Sequence, residues 1–144
     1  AKSLSSDLQE ILLMQGEQSK RVILDSHKAK IDEGKGSLLL GLASFAEGVD
    51  LPGDYLTCVY IAKIPFAVPD DPVEATLAEW IEKRGGNPFM EITIPDASLR
   101  LVQATGRLLR SESDKGEIHI LDKRLRTKRY GAQLINSLPP YRYQ

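Results

Sequence analysis

Short apolar runs alternate with helical patterns along this chain, and this alternation constrains the fold more than any other feature. Three mostly apolar runs of strand length lie at 37–42, 57–62 and 117–121. Such runs are typical of strands that are covered on both faces. Helical patterns are found at 3–10, 19–33, 71–84, 97–110 and 130–137. Buried strands alternating with helices predict an α/β fold with a mainly parallel sheet.

Two of these helices carry clear boundary signals. Asp71 and Pro72 favour a helix start. The apolar residues that follow recur at helical spacing and predict one buried stripe, made of Val73, Leu77, Trp80 and Ile81. Asp96 is predicted to cap the helix at 97–110. The apolar run at 11–14 fits either a helix or a strand.

Composition fits one compact domain, and the charge is divided unevenly along it. The chain has 144 residues, of which 42% are apolar, and a net charge of −1. Residues 67–98 hold seven acidic and two basic side chains, whereas residues 100–130 hold nine basic and four acidic ones. The second of these segments is therefore a candidate anion-binding region.

Cys58 is the single cysteine, which excludes an internal disulfide and an all-cysteine metal site. It fits a reducing compartment, so we expect a cytoplasmic protein. No apolar run approaches the ~18 residues of a membrane span, and no signal peptide is visible. Because the sequence starts at Ala1 without a methionine, we expect a fragment of a larger protein.

The stretch QATGRLLRS at 103–111 concentrates hydrogen-bond donors on one side of a helix. On a helical wheel, Gln103, Gly106, Arg107 and Arg110 fall within an arc of ~100°. Leu101, Ala104, Thr105 and Leu108 lie opposite. Arginine presents a planar fork of donors that matches phosphate oxygens. The residues thus predict an anion site, and an ordinary basic face paired with Glu112 or Asp114 is the alternative.

The loop GLASFAEGVDLPG at 41–53 directly follows the first strong strand. Ligands of open α/β sheets bind at loops that leave the carboxyl ends of strands. Ser44, Glu47 and Asp50 offer a hydroxyl and two carboxylates there. A plain turn with a solvated Glu47 and a capping Asp50 is the alternative.

Taken together, the two stretches resemble the second motor domain of superfamily 2 helicases. SFAEGVDLPG resembles motif V, and QATGRLLRS resembles motif VI, whose pattern is Q-x-x-G-R-x-x-R. GLASFAEGVDLPGD, KIPFAVPDDPVEATLAEW, NPFMEI and LDKRLRTKRYG resemble the DinG family of XPD-like DNA helicases in particular. The resemblance covers nearly the whole chain. It implies a three-layer, RecA-like fold of the P-loop NTPase type.

The resemblance also implies roles for individual residues in an ATP-dependent DNA helicase. Arg107 and Arg110 would face the γ-phosphate of ATP, and Gln103 would contact that phosphate or the attacking water. The remaining nucleotide-site residues would be Glu47, Gly48, Asp50 and Gly106. Glu47 would couple its loop to motif VI. Ser44 would touch the DNA backbone.

The sequence lacks parts of the family's complete pattern. No G-x-x-x-x-G-K-[ST] motif and no DEAH-type box occur. The resemblance therefore implies that the phosphate loop and the Mg²⁺ carboxylates belong to an N-terminal motor domain of the same protein. An iron–sulfur cluster, if the family's other half carries one, would lie outside this chain. The family's motif IV strand would precede residue 1, which leaves open a sheet without its first strand.

Lys123, Arg126 and Lys128 are candidates for contacts to DNA phosphates, with a solvated basic segment containing an Asp122–Arg124 pair as the alternative. Of the two histidines, His27 is expected to face solvent and His119 to be a core residue. Neither has partners at metal-ligand spacing, so no metal site is predicted.

The prediction is thus the second motor domain of a DinG-type helicase that binds single-stranded and forked DNA, takes part in DNA repair, and is inactive as an isolated fragment. A UvrB-like repair translocase and a non-catalytic nucleotide- or nucleic-acid-binding module are the alternatives.

Overall fold

The computed structural model describes residues 5–46, 48–67, 72–107 and 115–142 of the chain. Helices and parallel strands alternate within these ranges, in agreement with the predicted α/β class. The elements in order are α1 (Ser6–Ile11), β1 (Leu12–Met14), α2 (Lys20–Asp32), β2 (Leu38–Leu40), α3 (Ala43–Ala46), β3 (Cys58–Ile61), α4 (Pro72–Lys83), α5 (Ile94–Thr105), β4 (Glu117–Ile120), α6 (Arg124–Thr127) and α7 (Gly131–Asn136). No helix in the described ranges combines the length and apolarity of a membrane span.

The first strand pair is β1 with β2, which run parallel with Leu12 opposite Leu38. The ambiguous run at 11–14 is therefore mostly strand. Helix α2 packs beside this pair through the buried side chain of Ile23. Its bounds agree with the helical pattern at 19–33, and the Ser19 hydroxyl caps the helix by accepting a hydrogen bond from the Val22 N–H. Gly34 follows the helix with φ +73°, a conformation that favours glycine.

The second strand pair is β3 with β4, also parallel, with Cys58 opposite Glu117. Strand residues Ile61 and Ile120 pack on a core cluster that is contributed mainly by the helices that follow. Its buried members are Ile64, Ile94, Ala97, Leu101, Leu125 and Leu134. This cluster holds α5 in place, and α5 leads into the QATGRLLRS stretch.

The prediction that the strands are covered on both faces is wrong for the described part of the chain. Leu40 is 55% exposed and Tyr60 is 61% exposed. Each described strand pairs with one other strand, and helices pack on one side of each pair. His119 lies on the open side of its pair with a half-exposed ring, so its assignment to the core is also wrong.

The stripe predicted on α4 is likewise only partly buried. Ile81 is in the core, whereas Val73, Leu77 and Trp80 are exposed. The guanidinium of Arg84 lies 4.4 Å from the Trp80 ring centroid and covers one side of the indole. The helical period was predicted correctly, but no described element packs over most of that stripe.

Helix α5 begins three residues before the predicted start. A π-helical turn at Phe89–Thr93 runs directly into it. Asp96 is therefore inside the first helical turn and not its N-cap, and its carboxylate accepts a hydrogen bond from Nε of Arg100 at 2.7 Å. The described helix ends at Thr105 with Gly106 as C-cap, short of the predicted end at residue 110. Residues 108–114 lie outside the described ranges.

Candidate nucleotide-binding site

The loop after β2 is held by three apolar side chains that alternate with polar ones. Phe45, Val49 and Leu51 are buried in the cluster around α2. Ser44 and Asp50 lie between these anchors and are exposed, as is Gly48. The hydrophobic anchors therefore fix which side chains of the loop face solvent. Glu47, predicted for the same site, lies outside the described residues.

Close packing at the start of this loop requires Gly41. A Cβ atom at this position would come within 2.8 Å of the Phe45 side chain. The Leu42 N–H donates to the side-chain oxygen of Gln15 at 2.8 Å, and the Gln15 N–H donates to the Leu40 carbonyl at 2.9 Å. The loop is thus tied to the end of β1 as well as to its own strand.

Gly48 has φ +69°, in the left-handed region where a side chain is unfavourable. This turn separates Phe45 from Val49 and lets both enter the same core cluster. The glycine of the motif V resemblance is therefore explained by backbone conformation, independently of any ligand.

His27 is buried and connects α2 to the far end of the same loop, so its prediction as a solvent-facing residue is wrong. Its Nε2 lies 2.8 Å from the Tyr55 carbonyl oxygen, and its Nδ1 lies 2.8 Å from Oγ of Ser37. Because a carbonyl only accepts, Nε2 carries a proton and donates. The available signal was the spacing from Ile23, which puts His27 one turn along the same buried face.

The arginine helix α5 shows the predicted division into faces where it is described. Leu101 and Thr105 are 0% exposed. Gln103 and Gly106 are exposed, and Arg107 is partly exposed in the turn after the helix. The core thus positions Gln103 and Arg107 at the solvent-facing end of α5. Arg110 lies outside the described residues.

This end of α5 presents hydrogen-bond donors to solvent. The Gln103 amide and the Arg107 guanidinium supply these donors. Such donors suit phosphate oxygens. The structure therefore places the described motif V and motif VI residues on two surfaces, one on the loop after β2 and one at the end of α5.

The basic segment after β4 contains an internal ion pair. Nη2 of Arg124 lies 2.6 Å from Oδ2 of Asp122, and the guanidinium also lies over the Phe66 ring at 5.1 Å from its centroid. Arg124 is therefore engaged within the domain. Lys123, Arg126 and Lys128 are exposed and form no ion pair with any other described residue.

The exposed aromatic residues differ in their surroundings. Phe89 packs with Phe66 and Tyr130, at centroid distances of 5.9 Å and 5.3 Å. Trp80 is 57% exposed, so the expectation that it is a core residue is wrong. Sequence periodicity placed Trp80 on the apolar face of α4 without showing what would cover that face.

Comparison with known proteins identifies the family of this chain. Residues 1–141 match the family model described as the helicase C-terminal domain, and the chain belongs to this family. It is 52% identical over 131 residues to the ATP-dependent DNA helicase DinG of Photobacterium profundum, which covers 91% of this chain and 19% of that protein. Its identity to the Escherichia coli K12 protein of the same name is 44% over 136 residues, 94% of this chain and 19% of the relative. The chain thus spans about a fifth of the length of these relatives.

Proposed function

We propose that this chain is the second, RecA-like motor domain of an ATP-dependent DNA helicase of the DinG type. The similarity to two proteins of that name over more than nine tenths of the chain supports the assignment. In this proposal the two described strand pairs belong to one three-layer α/β domain. Its partner is the N-terminal motor domain of the same protein, and its substrates are ATP and single-stranded or forked DNA.

The observation that carries the proposal is the position of Arg107. Full burial of Leu101 and Thr105 on the opposite face leaves Gln103 and Arg107 at the exposed end of α5. Charge develops on the phosphoryl oxygens during ATP hydrolysis, and donors that are already in place stabilise it. Arg107 and Arg110 are assigned this role, and Gln103 contacts the γ-phosphate or the attacking water.

In this proposal, Gln103, Arg107 and Arg110 form one half of an ATP site that is shared between two domains. The sequence has no G-x-x-x-x-G-K-[ST] motif, and the groups at the end of α5 are donors suited to phosphate. We assign the phosphate loop and the Mg²⁺ carboxylates to the first motor domain. The isolated chain is therefore expected to lack ATPase activity.

The loop after β2 supplies the other side of this half-site. Gly48 and Asp50 border the nucleotide together with Gly106, and Glu47 couples the loop to motif VI. Ser44 faces the DNA backbone. Because Phe45 and Val49 anchor the loop in the core, movement of the domain carries Ser44 and Asp50 with it.

The test is Arg107→Ala and Arg110→Ala in the full-length helicase, with Arg100→Ala as matched control. Arg100 lies on the same helix, but its guanidinium pairs with Asp96. Loss of an arginine finger lowers phosphoryl transfer by ~10³–10⁵-fold. We expect DNA-stimulated ATP hydrolysis and unwinding to fall in this range for at least one of the two variants and to stay near wild type for the control.

Normal ATPase and unwinding rates in both variants would contradict the arginine assignment. A full-length protein without DNA-stimulated ATPase activity would instead support a non-catalytic binding module. Circular dichroism of each variant separates loss of function from loss of fold.

A further inference from the structure

The open face of the β3–β4 pair brings together three side chains that commonly bind metal ions. Because Cys58 pairs with Glu117 and Tyr60 with His119, all four side chains project from the same side of the pair. The thiol of Cys58, a carboxylate oxygen of Glu117 and a ring nitrogen of His119 all lie within 4.8 Å of one another. Cys58 comes from β3 and the other two from β4, so the cluster is created by strand pairing.

We propose that Cys58, Glu117 and His119 form a binding site for a divalent, borderline-soft metal ion of the Zn²⁺ class. A thiolate, an imidazole and a carboxylate are the three protein ligand types that Zn²⁺ uses. Around one tetrahedral ion such ligand atoms lie ~3.3–3.7 Å apart, given bonds of ~2.0–2.3 Å. The separations of up to 4.8 Å in this structure exceed that range by about 1 Å.

Neighbouring contacts already orient two of the ligands. The Tyr60 ring stacks on the His119 ring, with centroids 4.6 Å apart and an interplanar angle of 11°. Nε2 of His119 lies 3.0 Å from a Glu117 carboxylate oxygen. The stacked Tyr60 ring restricts the orientation of the imidazole. A metal ion would replace the hydrogen bond between His119 and Glu117, since both residues are proposed ligands.

Exposure suits a site with an open coordination position. The Glu117 side chain is 76% exposed and that of His119 is 41% exposed. A bound ion is therefore reached by water, which completes a tetrahedron as the fourth ligand. The site is distinct from the proposed nucleotide site, since none of its residues lies on the loop after β2 or at the end of α5.

The experiment is titration of the reduced 144-residue chain with Co²⁺, followed by competition with Zn²⁺. Because Cys58 is the single cysteine, any thiolate-to-cobalt charge-transfer band reports this one side chain. We expect one equivalent of Co²⁺ to give that band together with the visible bands of a four-coordinate ion, and one equivalent of Zn²⁺ to remove them.

Three variants and one control complete the test. Cys58→Ser abolishes the charge-transfer band. Glu117→Gln and His119→Gln weaken metal binding by at least the ~10–100-fold that loss of an outer-shell partner costs. Glu79→Gln removes a carboxylate that is exposed on α4 and paired with Lys83 at 3.9 Å, so it is the control that leaves the affinity unchanged.

Absence of the band in the wild-type chain overturns the proposal. So does a band of equal strength in the guanidinium-denatured chain, because the ligands are then not assembled by the fold. Unchanged affinity in His119→Gln reduces the site to an isolated thiol and also overturns it.

Discussion

The carboxylate of Asp122 accepts hydrogen bonds from four donor groups, three on Arg124 and one on Ile64. We call this arrangement the Asp122 junction. Nε of Arg124 lies 2.9 Å and 3.0 Å from the two carboxylate oxygens, and Nη2 lies 2.6 Å from Oδ2. The backbone N–H groups of Ile64 and Arg124 also donate to it, each at 3.0 Å. The Asp122 side chain is only 6% exposed. It therefore ties the chain after β3 to the chain after β4.

Asp122→Asn is expected to lower the free energy of unfolding by about 1–3 kcal/mol, because charged donors lose a charged, nearly buried acceptor. Urea denaturation of the chain measures this loss. The matched control is Asp25→Asn, whose ion pair with Arg21 at 3.8 Å is solvent-exposed and should be worth about 0–1 kcal/mol. Equal effects in the two variants would show that the junction is no stronger than a surface pair.

The same junction predicts a pH dependence of stability. Hydrogen bonds from Arg124, followed by those from the two backbone N–H groups, hold the pKa of Asp122 well below its ordinary value. A lowered folded-state pKa contributes stability that is complete above the unfolded-state value of about 3.9 and is lost as pH falls below it. Asp122→Asn should therefore flatten the acid limb of the stability curve between about pH 5 and pH 2. A wild-type and a variant curve that stay parallel across this limb would contradict the prediction.

His27→Ala is expected to lower the free energy of unfolding by about 2–4 kcal/mol, since it removes two buried hydrogen bonds and leaves a cavity. The bonds to Ser37 and to the Tyr55 carbonyl join α2 to the loop that carries Asp50. Thermal and urea denaturation measure the effect. Arg21→Ala, exposed on the same helix, is the control and should change stability by no more than about 0.5 kcal/mol. If the two variants differ in free energy of unfolding by less than about 0.5 kcal/mol, His27 does not stabilise the contact between α2 and the loop.

Gly131→Ala is expected to destabilise the domain by about 1–3 kcal/mol, because α6 and α7 meet at this glycine without space for a methyl group. A Cβ atom there would lie 2.0 Å from the Leu125 carbonyl oxygen, and both residues are buried. The backbone of α6 or α7 must shift to relieve this contact. Gln133→Ala, exposed on α7, is the control. A Gly131→Ala chain as stable as the control would mean that the junction has more room than its geometry indicates.

Local signals in the sequence predicted the elements that are stabilised locally. Ser19 and Gly34 bracket α2 through a side-chain hydrogen bond and a left-handed turn, and both act within a few residues. The division of α5 into a buried face with Leu101 and an exposed side with Gln103 also followed from helical period alone. Motif resemblance gave the family, which the family model confirms.

Contacts between distant segments were not predictable in the same way. The exposure of Trp80 depends on which element covers α4, and the helical period of α4 carries no information on this. The cluster of Cys58 with His119 depends on the register of two strands that are far apart in sequence. The roles of Arg107 and Arg110 stay predictions, since in the proposed function they depend on a nucleotide bound by another domain.

A triple variant of the full-length helicase is expected to bind single-stranded DNA more weakly. It carries glutamine in place of Lys123, Arg126 and Lys128. These three side chains are exposed, whereas Arg124 between them is paired with Asp122. Each lost phosphate contact should reduce the slope of log affinity against log salt by ~0.7 for single strands, so the triple variant should lose about 2 if all three bind phosphates.

Fluorescence anisotropy with a labelled oligonucleotide at several salt concentrations measures both the affinity and the slope. The control is neutralisation of Arg21, Lys30 and Lys35 around α2, which removes the same charge at a surface not assigned to DNA. Because the total charge of the two triple variants is equal, a difference in slope reports position and not net charge. Equal slopes in both variants and the wild type would leave the segment after β4 as a solvated basic surface.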